Sequence, residues 1–252
     1  MKSKIGVVAV LGLLATALFA TLASAQCNPI SNLPGVMINF DNAWAYETNY
    51  SIANSNSAAG SQLTVVGIVS VFCTPFADLY PLDPGTEYTF IWDGLASQGT
   101  VTTPIGTLGA ARYVTQYLGG GFRIYAGSPR NAPTAGTLPA LPAPGVVPAA
   151  FVDGTMILGG TMAPLTVTIS RTSGGTYSGS FRANYLCTGG TLYSRVSGIG
   201  EGLMAAGWCP VPPNTNPCQL PAGWSAQPFG KWDIPVVSAL PSTWGRIKTL
   251  YR

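Results

Sequence analysis

The chain has 252 residues, only 8% of them charged, with twelve Lys and Arg against nine Asp and Glu and no histidine. The lack of histidine excludes Ser-His-Asp and Cys-His nucleophilic catalysis, histidine-ligated zinc and histidine pH switching. The arginines are scattered singly from Arg112 to Arg195 rather than gathered into a basic stripe, so nucleic acid is not an expected partner.

The first element reads as a secretory leader. Lys2 and Lys4 form a positive start, Ile5 to Ala20 is nearly all apolar, and Ala23-Ser24-Ala25 supplies small residues before a cut between Ala25 and Gln26. The apolar run is shorter than the ~20 residues of a bilayer span, so no transmembrane anchor is expected after cleavage. The residue before Cys27 is Gln26 rather than a small one, which argues against a lipid anchor. Losing Lys2 and Lys4 leaves ten basic residues against nine acidic, a net charge of about +1. The protein is therefore expected to be exported, to the periplasm, the cell surface or the extracellular space.

The five cysteines, Cys27, Cys73, Cys187, Cys209 and Cys218, all follow the leader, where an oxidising compartment favours pairing. Cys209 and Cys218 enclose a short Pro-rich segment and are the first candidates for a local disulfide. Cys73 and Cys187 each end an apparent strand and are candidates for a cross-sheet pair. Cys27 is then the odd cysteine, available for an intermolecular bond.

Beyond the leader the pattern is strand-like. Gly35–Phe40, Gln62–Cys73, Glu87–Trp92, Arg112–Leu118, Phe122–Tyr125, Leu165–Arg171, Tyr177–Tyr185 and Thr191–Val196 are rich in β-branched and aromatic residues, with turn-forming clusters between them. The expected fold is all-β; the pattern suits an antiparallel sandwich or barrel, and the expectation taken is a β-sandwich of residues 26–205, immunoglobulin-like or jelly-roll-like, with a long Pro-rich loop at 127–149. Residues 206–252 read as a Pro- and Trp-rich extension. It ends in a short basic helix at 242–252, where Trp244, Ile247, Leu250 and Tyr251 fall at helical spacing.

One run carries a family likeness. Leu82-Asp83-Pro84-Gly85-Thr86-Glu87-Tyr88-Thr89-Phe90 resembles the corner of fibronectin type III and related immunoglobulin-like domains, where a Leu-x-Pro-Gly-Thr-x-Tyr segment enters a strand. The resemblance covers nine residues. It implies a buried Tyr88 ring within a sandwich, and it implies no function.

Chemistry is sparse. Loop-like aromatics, Trp44, Tyr46, Tyr50, Trp208 and Trp224, are the candidates for stacking on sugar rings. Asp83, Glu87 and Asp93 are the candidate ligands of a calcium ion, the one cofactor that the oxygen-rich loops suggest, although no Asp-x-Asp-x-Asp-Gly loop is present. A hydrolase would need two carboxylates facing across a cleft, about 5–10 Å apart. The leading expectation is a secreted, non-catalytic surface protein of bacterial type, structural, adhesive or self-associating, that meets cell-envelope or extracellular material. The alternatives are a polysaccharide-binding module using the loop aromatics and a carboxylate-dependent glycoside hydrolase.

Overall fold

A computed structural model describes residues 35–51, 55–79, 84–106, 108–134, 137, 148–210, 220 and 223–233. The leader, Cys27, Cys218 and the basic segment 242–252 lie outside them. The fold is all-β and antiparallel, as the strand patterning implies.

The strands group into eight staves in chain order. β1 (Val36–Phe40) and β2 (Asn42–Glu47) form the first, bent at Asp41. Two short strands, β3 (Tyr50–Ser51) and β4 (Asn56–Ser57), pair only with each other. β5 (Gln62–Ile68) and β6 (Val71–Phe72) form the second stave, and β7 (Glu87–Ile105) the third. The fourth is β8 (Ala110–Leu118) with β9 (Gly121–Gly127), and the fifth is β10 (Thr155–Met162) with β11 (Leu165–Arg171). β12 (Tyr177–Gly189), β13 (Gly202–Pro210) and β14 (Ala226–Asp233) complete the set.

Each stave pairs with the next in sequence. β2 lies on β5, β5 on β7, β7 on β8 and β9, and these on β11 and β10. β10 and β11 lie on β12, β12 on β13, and β13 on β14. The last stave returns to the first, with Gly230 opposite Phe40 and Ala226 opposite Ala45. The sheet is thus a closed, up-and-down barrel. The expected sandwich is corrected at this point. Both folds show alternating strands, but a sandwich needs Greek-key crossings between sheets, and here sequence neighbours are sheet neighbours throughout.

Alternation decides which face is in. On β12, Phe181, Ala183, Tyr185 and Cys187 are buried, while Ser178, Ser180, Arg182, Asn184, Leu186 and Thr188 are exposed. β8 repeats the rule with Ala111, Tyr113, Thr115 and Tyr117 inside. A lipid-facing barrel shows the reverse, apolar outside and polar inside. No helix of the described residues is long and apolar enough to cross a membrane.

An eight-stranded barrel is just wide enough for side chains to fill it, and aromatic rings do so here. Phe40 meets Phe90 edge-on at 5.0 Å, Phe90 stacks on Trp92 at 5.6 Å, and Phe122 meets Trp232 edge-on at 4.7 Å. The apolar gap between Ile38, Phe72, Ile124 and Leu158 is too small for a water molecule. The bend between β8 and β9 needs glycine. Gly120 has φ 81°, and an added Cβ would stand 2.6 Å from the Asp93 carbonyl oxygen.

A second apolar layer lies outside the barrel wall. Trp44 and Tyr46 of β2, Val66 of β5 and Ile91 of β7 alternate with inward residues, yet they are buried too. Phe151 covers them from the far end of the Pro-rich loop, its ring 5.9 Å from Trp44. Trp224 covers them from the segment before β14, 6.3 Å from Tyr46. Polar ties hold this pad down: Thr89 Oγ1 donates to the Phe151 carbonyl at 3.0 Å, and Ser225 N–H donates to the Ala45 carbonyl at 2.8 Å. The Glu87 carboxylate accepts the backbone N–H groups of Asn131 and Ala132, both at 3.0 Å, fixing the start of the loop.

The structure also corrects the element limits. β2, β3, β4, β10, β13 and β14 are strands beyond those read from the sequence, and Thr191–Val196 is a turn with a short 3₁₀ segment at Tyr193–Arg195. The described part of the extension beyond residue 205 is not an appendage, because most of β13 and all of β14 are staves of the barrel.

Phe151→Ala removes the centre of the outer pad and is expected to destabilise the protein by about 3–5 kcal/mol. Urea denaturation checks this, and a loss below about 1 kcal/mol would show that the loop does not seal the wall.

Candidate functional site at one barrel end

The sequence-predicted site residues do not assemble. Trp44, Tyr46 and Trp224 are packed into the outer pad, and Trp208 points into the barrel near Phe181, with ring centroids 6.2 Å apart. None of the four offers an open face for a sugar ring. Tyr50 stands on β3 with its hydroxyl buried. Of the candidate calcium ligands, Asp83 lies outside the described residues. Glu87 and Asp93 share the outer face of β7 but stand six residues apart, about 20 Å along a strand. Glu87 is committed to the loop, and Asp93 to an ion pair with Arg123. Among the described residues, no group of three or more His, Cys, Asp or Glu could hold a metal ion.

The cysteine pairing is corrected as well. Cys187 is a free, buried thiol, whereas Cys73 and Cys209 are disulfide-bonded, so no Cys73–Cys187 bridge forms. Burial among the inward residues of β12 pushes the Cys187 thiol up to about 12, which leaves it protonated and unreactive. Cys27 and Cys218, the remaining two, lie outside the described residues.

Two carboxylates do converge, Glu87 and Asp153 on either side of Gly127. Glu87 is spent on backbone N–H groups, and Asp153 accepts from Asn131 Nδ2 at 2.8 Å. Both anchor the loop. On the outer wall a groove of about 420 Å³, floored by glycines of β9 and β10, runs beside the Asp93–Arg123 pair, Met156 and Thr188.

The unusual chemistry is inside one end of the barrel. β2 carries Ala43, Ala45 and Glu47 inward, so the strand ends by placing a carboxylate in the interior. Ser57 Oγ donates to Glu47 Oε1, and Tyr117 Oη of β8 donates to Oε2 at 2.9 Å. The Ser57 and Ser97 hydroxyls stand 2.6 Å apart, and those of Thr100 and Thr115 stand 2.7 Å apart. The ion pairs among the described residues, Arg123–Asp93, Arg195–Asp78 and Lys231–Asp233, all lie elsewhere. Glu47 is therefore partly buried, with hydroxyl donors and, among the described residues, no cationic partner. Burial pushes its carboxyl above the usual range, and the hydrogen bonds from Ser57, Tyr117 and Ser61 pull back part of that rise. Burial also raises the phenols of Tyr50 and Tyr117, helped by the Glu47 charge, so both stay neutral.

The sequence does not single out Glu47. Its neighbours Trp44 and Tyr46 read as loop aromatics and not as parts of a strand, whereas both faces of β2 carry buried residues. The alternation of Ala43, Ala45 and Glu47 was the available signal, and alanines carry little weight in it.

Two outcomes are expected. Thiol labelling with mass mapping should modify Cys187 only after unfolding without reductant and leave Cys73 and Cys209 unmodified; labelling of Cys73 or Cys209 before reduction would contradict their disulfide bonding. A carboxyl raised by folding favours the fold while neutral, a contribution present below its ordinary pKa and lost as pH rises through the folded value. Glu47→Gln should therefore flatten the fall in stability from acid to neutral pH, read as thermal midpoints between pH 4 and 8. An unchanged pH profile would exclude Glu47 as its source.

No family model, curated protein or solved structure matches the chain.

Proposed function

We propose that this is an exported, non-catalytic barrel of bacterial type that works through its outer surface, as a structural or adhesive protein associating with copies of itself and with envelope or extracellular material. The observation that carries this reading is the free end of the β7–β8 hairpin. Val101, Ile105 and Leu108 are 67%, 51% and 76% exposed there, and Gln98 to Leu108 contains no charged residue. Apolar side chains on a projecting, uncharged hairpin suit contact with another surface. The aromatic filling of the described interior supports the same reading, and the gap among Ile38, Phe72, Ile124 and Leu158 is too small for a water molecule. So does the outward row of Ser, Thr and Asn on β11 and β12, which matches hydroxyl-rich material.

The disulfide-bonded Cys73 and Cys209 support an oxidising compartment. The polysaccharide-binding alternative loses its stacking platform with the burial of Trp44, Tyr46, Trp208 and Trp224. Among the described residues, the carboxylate pair that the hydrolase alternative could use is Glu87 and Asp153, and both are engaged with the loop.

Light scattering on the exported chain should find assemblies larger than a monomer, and Ile105→Lys with Leu108→Lys should shift them towards monomer while leaving the thermal midpoint within a few degrees. A strict monomer that also leaves envelope fractions unbound would overturn the reading.

A further inference from the structure

β7 is long enough to leave the barrel. Thr89 to Trp92 have β5 on one edge and β9 on the other, whereas Val101 to Ile105 pair with β8 alone among the described residues. The cover on the other edge ends at Thr100, whose Oγ1 accepts the Ser57 N–H of β4 at 2.7 Å. From Val101 to Ile105 every residue is exposed.

The ladder fixes which backbone groups are free. Ser97 N–H donates to the Ser61 carbonyl at 2.9 Å, and its own carbonyl accepts from Gly60 N–H at 2.8 Å. Both groups therefore turn away from β8, and the pair of Ser97 with Tyr117 is one without mutual hydrogen bonds. β8 runs without a bulge along β11 from Tyr117 to Ala111, so Thr115, Tyr113 and Ala111 share the orientation of Tyr117 and bond to β11. Their partners on β7 are Thr100, Thr102 and Pro104, which point their backbone polar groups off the sheet. Pro104 agrees with this, since a proline fits a ladder where its nitrogen faces the open side. Thr102 N–H and the carbonyls of Thr102 and Pro104 are thus left on a free edge. The side chains of Val101, Thr103 and Ile105 share one face, opposite to the inward face of Tyr113 and Thr115.

We propose that two copies of this chain pair antiparallel along this edge, with Thr103 facing Thr103 of the partner subunit across a two-fold axis. A free edge with unanswered donors and acceptors is completed by another strand, and three features select a second copy. Gln98 to Leu108 carries no charge, so identical edges meet without repulsion and without the lysine that usually guards an edge. An antiparallel pair of identical strands is isologous and closes at two. The free stretch ends at Thr100 and Ile105, which puts Thr103 at its middle and Val101 against the partner's Ile105. That register covers the two side chains that are 67% and 51% exposed. It also lets Thr102 N–H donate to the partner's Pro104 carbonyl, twice by symmetry. The dimer specifies the self-association proposed above and rests on that reading.

Sedimentation velocity and cysteine cross-linking test it. So short an edge makes a small interface, and the natural chain should pass from monomer to dimer between about 10 μM and 1 mM. Under mild oxidation Thr103→Cys should form a covalent dimer, because facing residues in such a pair stand ~4.5 Å apart at Cα, within disulfide reach. Val101→Cys alone should not, its two copies standing ~14 Å apart along the strands. An equal mixture of Val101→Cys and Ile105→Cys should cross-link. The natural chain supplies the background from its own cysteines, and thermal midpoints show that each variant is folded. Thr102→Pro removes an N–H that β8 does not use and should weaken the dimer at least about tenfold. A monomer at the highest concentration, no Thr103→Cys dimer above background, equal cross-linking of Val101→Cys, or a Thr102→Pro dimer of natural strength would each overturn edge pairing. If Ile105→Lys with Leu108→Lys disperses assemblies while Thr103→Cys stays uncross-linked, edge pairing fails and the broader reading of surface association stands.

Discussion

A β-strand leaves one row of backbone donors and acceptors on each edge, and every row must find a partner or face water. The pairing of β14 with β1 and β2 meets that requirement for the barrel wall. It joins the last stave to the first and turns a meander into a closed wall. Once closed, the wall has one inside, and period-two alternation sends half of each strand there. The rings of Phe40, Phe90, Phe122 and Trp232 then occupy a space that only closure creates.

Closure alone does not account for the Pro-rich segments. β2, β5, β7 and β9 present apolar residues on both faces, so part of the outer wall needs a cover. The loop after β9 and the segment before β14 supply it through Phe151 and Trp224. The Glu87 carboxylate, bonded to the N–H groups of Asn131 and Ala132, sets where the loop comes down.

The sequence made the all-β class legible, and β1, β8, β9 and β11 fell close to their observed limits because branched and aromatic residues are concentrated there. β10, with Gly159 and Gly160 at its centre, and β14, with Pro228 and Gly230, carry residues that signal turns in isolation. They are strands here because neighbours on both sides hold them, and an added Cβ at Gly160 would strike the Leu186 carbonyl. The choice of sandwich over barrel failed for a related reason: alternation reports that a strand has two unlike faces, and says nothing of which strand pairs with which. The candidate site was harder still. Trp44 and Trp224 stood out as aromatics but serve as packing, while Glu47 was inconspicuous and points a carboxylate inside the wall.

That carboxylate sets the character of one barrel end, where hydroxyls of Ser57, Ser97, Thr115 and Tyr117 replace the aromatic filling found deeper in. The polar end, the sealed middle and the projecting β7–β8 hairpin all presuppose the closed wall. The most direct measurement is therefore of cross-strand nuclear Overhauser contacts between β14 and the first stave. Closure predicts backbone proton contacts of Gly230 with Phe40 and of Ala226 with Ala45, together with those of β5 on β7. Contacts on β5 and β7 without any between β14 and the first stave would mean an open sheet, and would contradict the account.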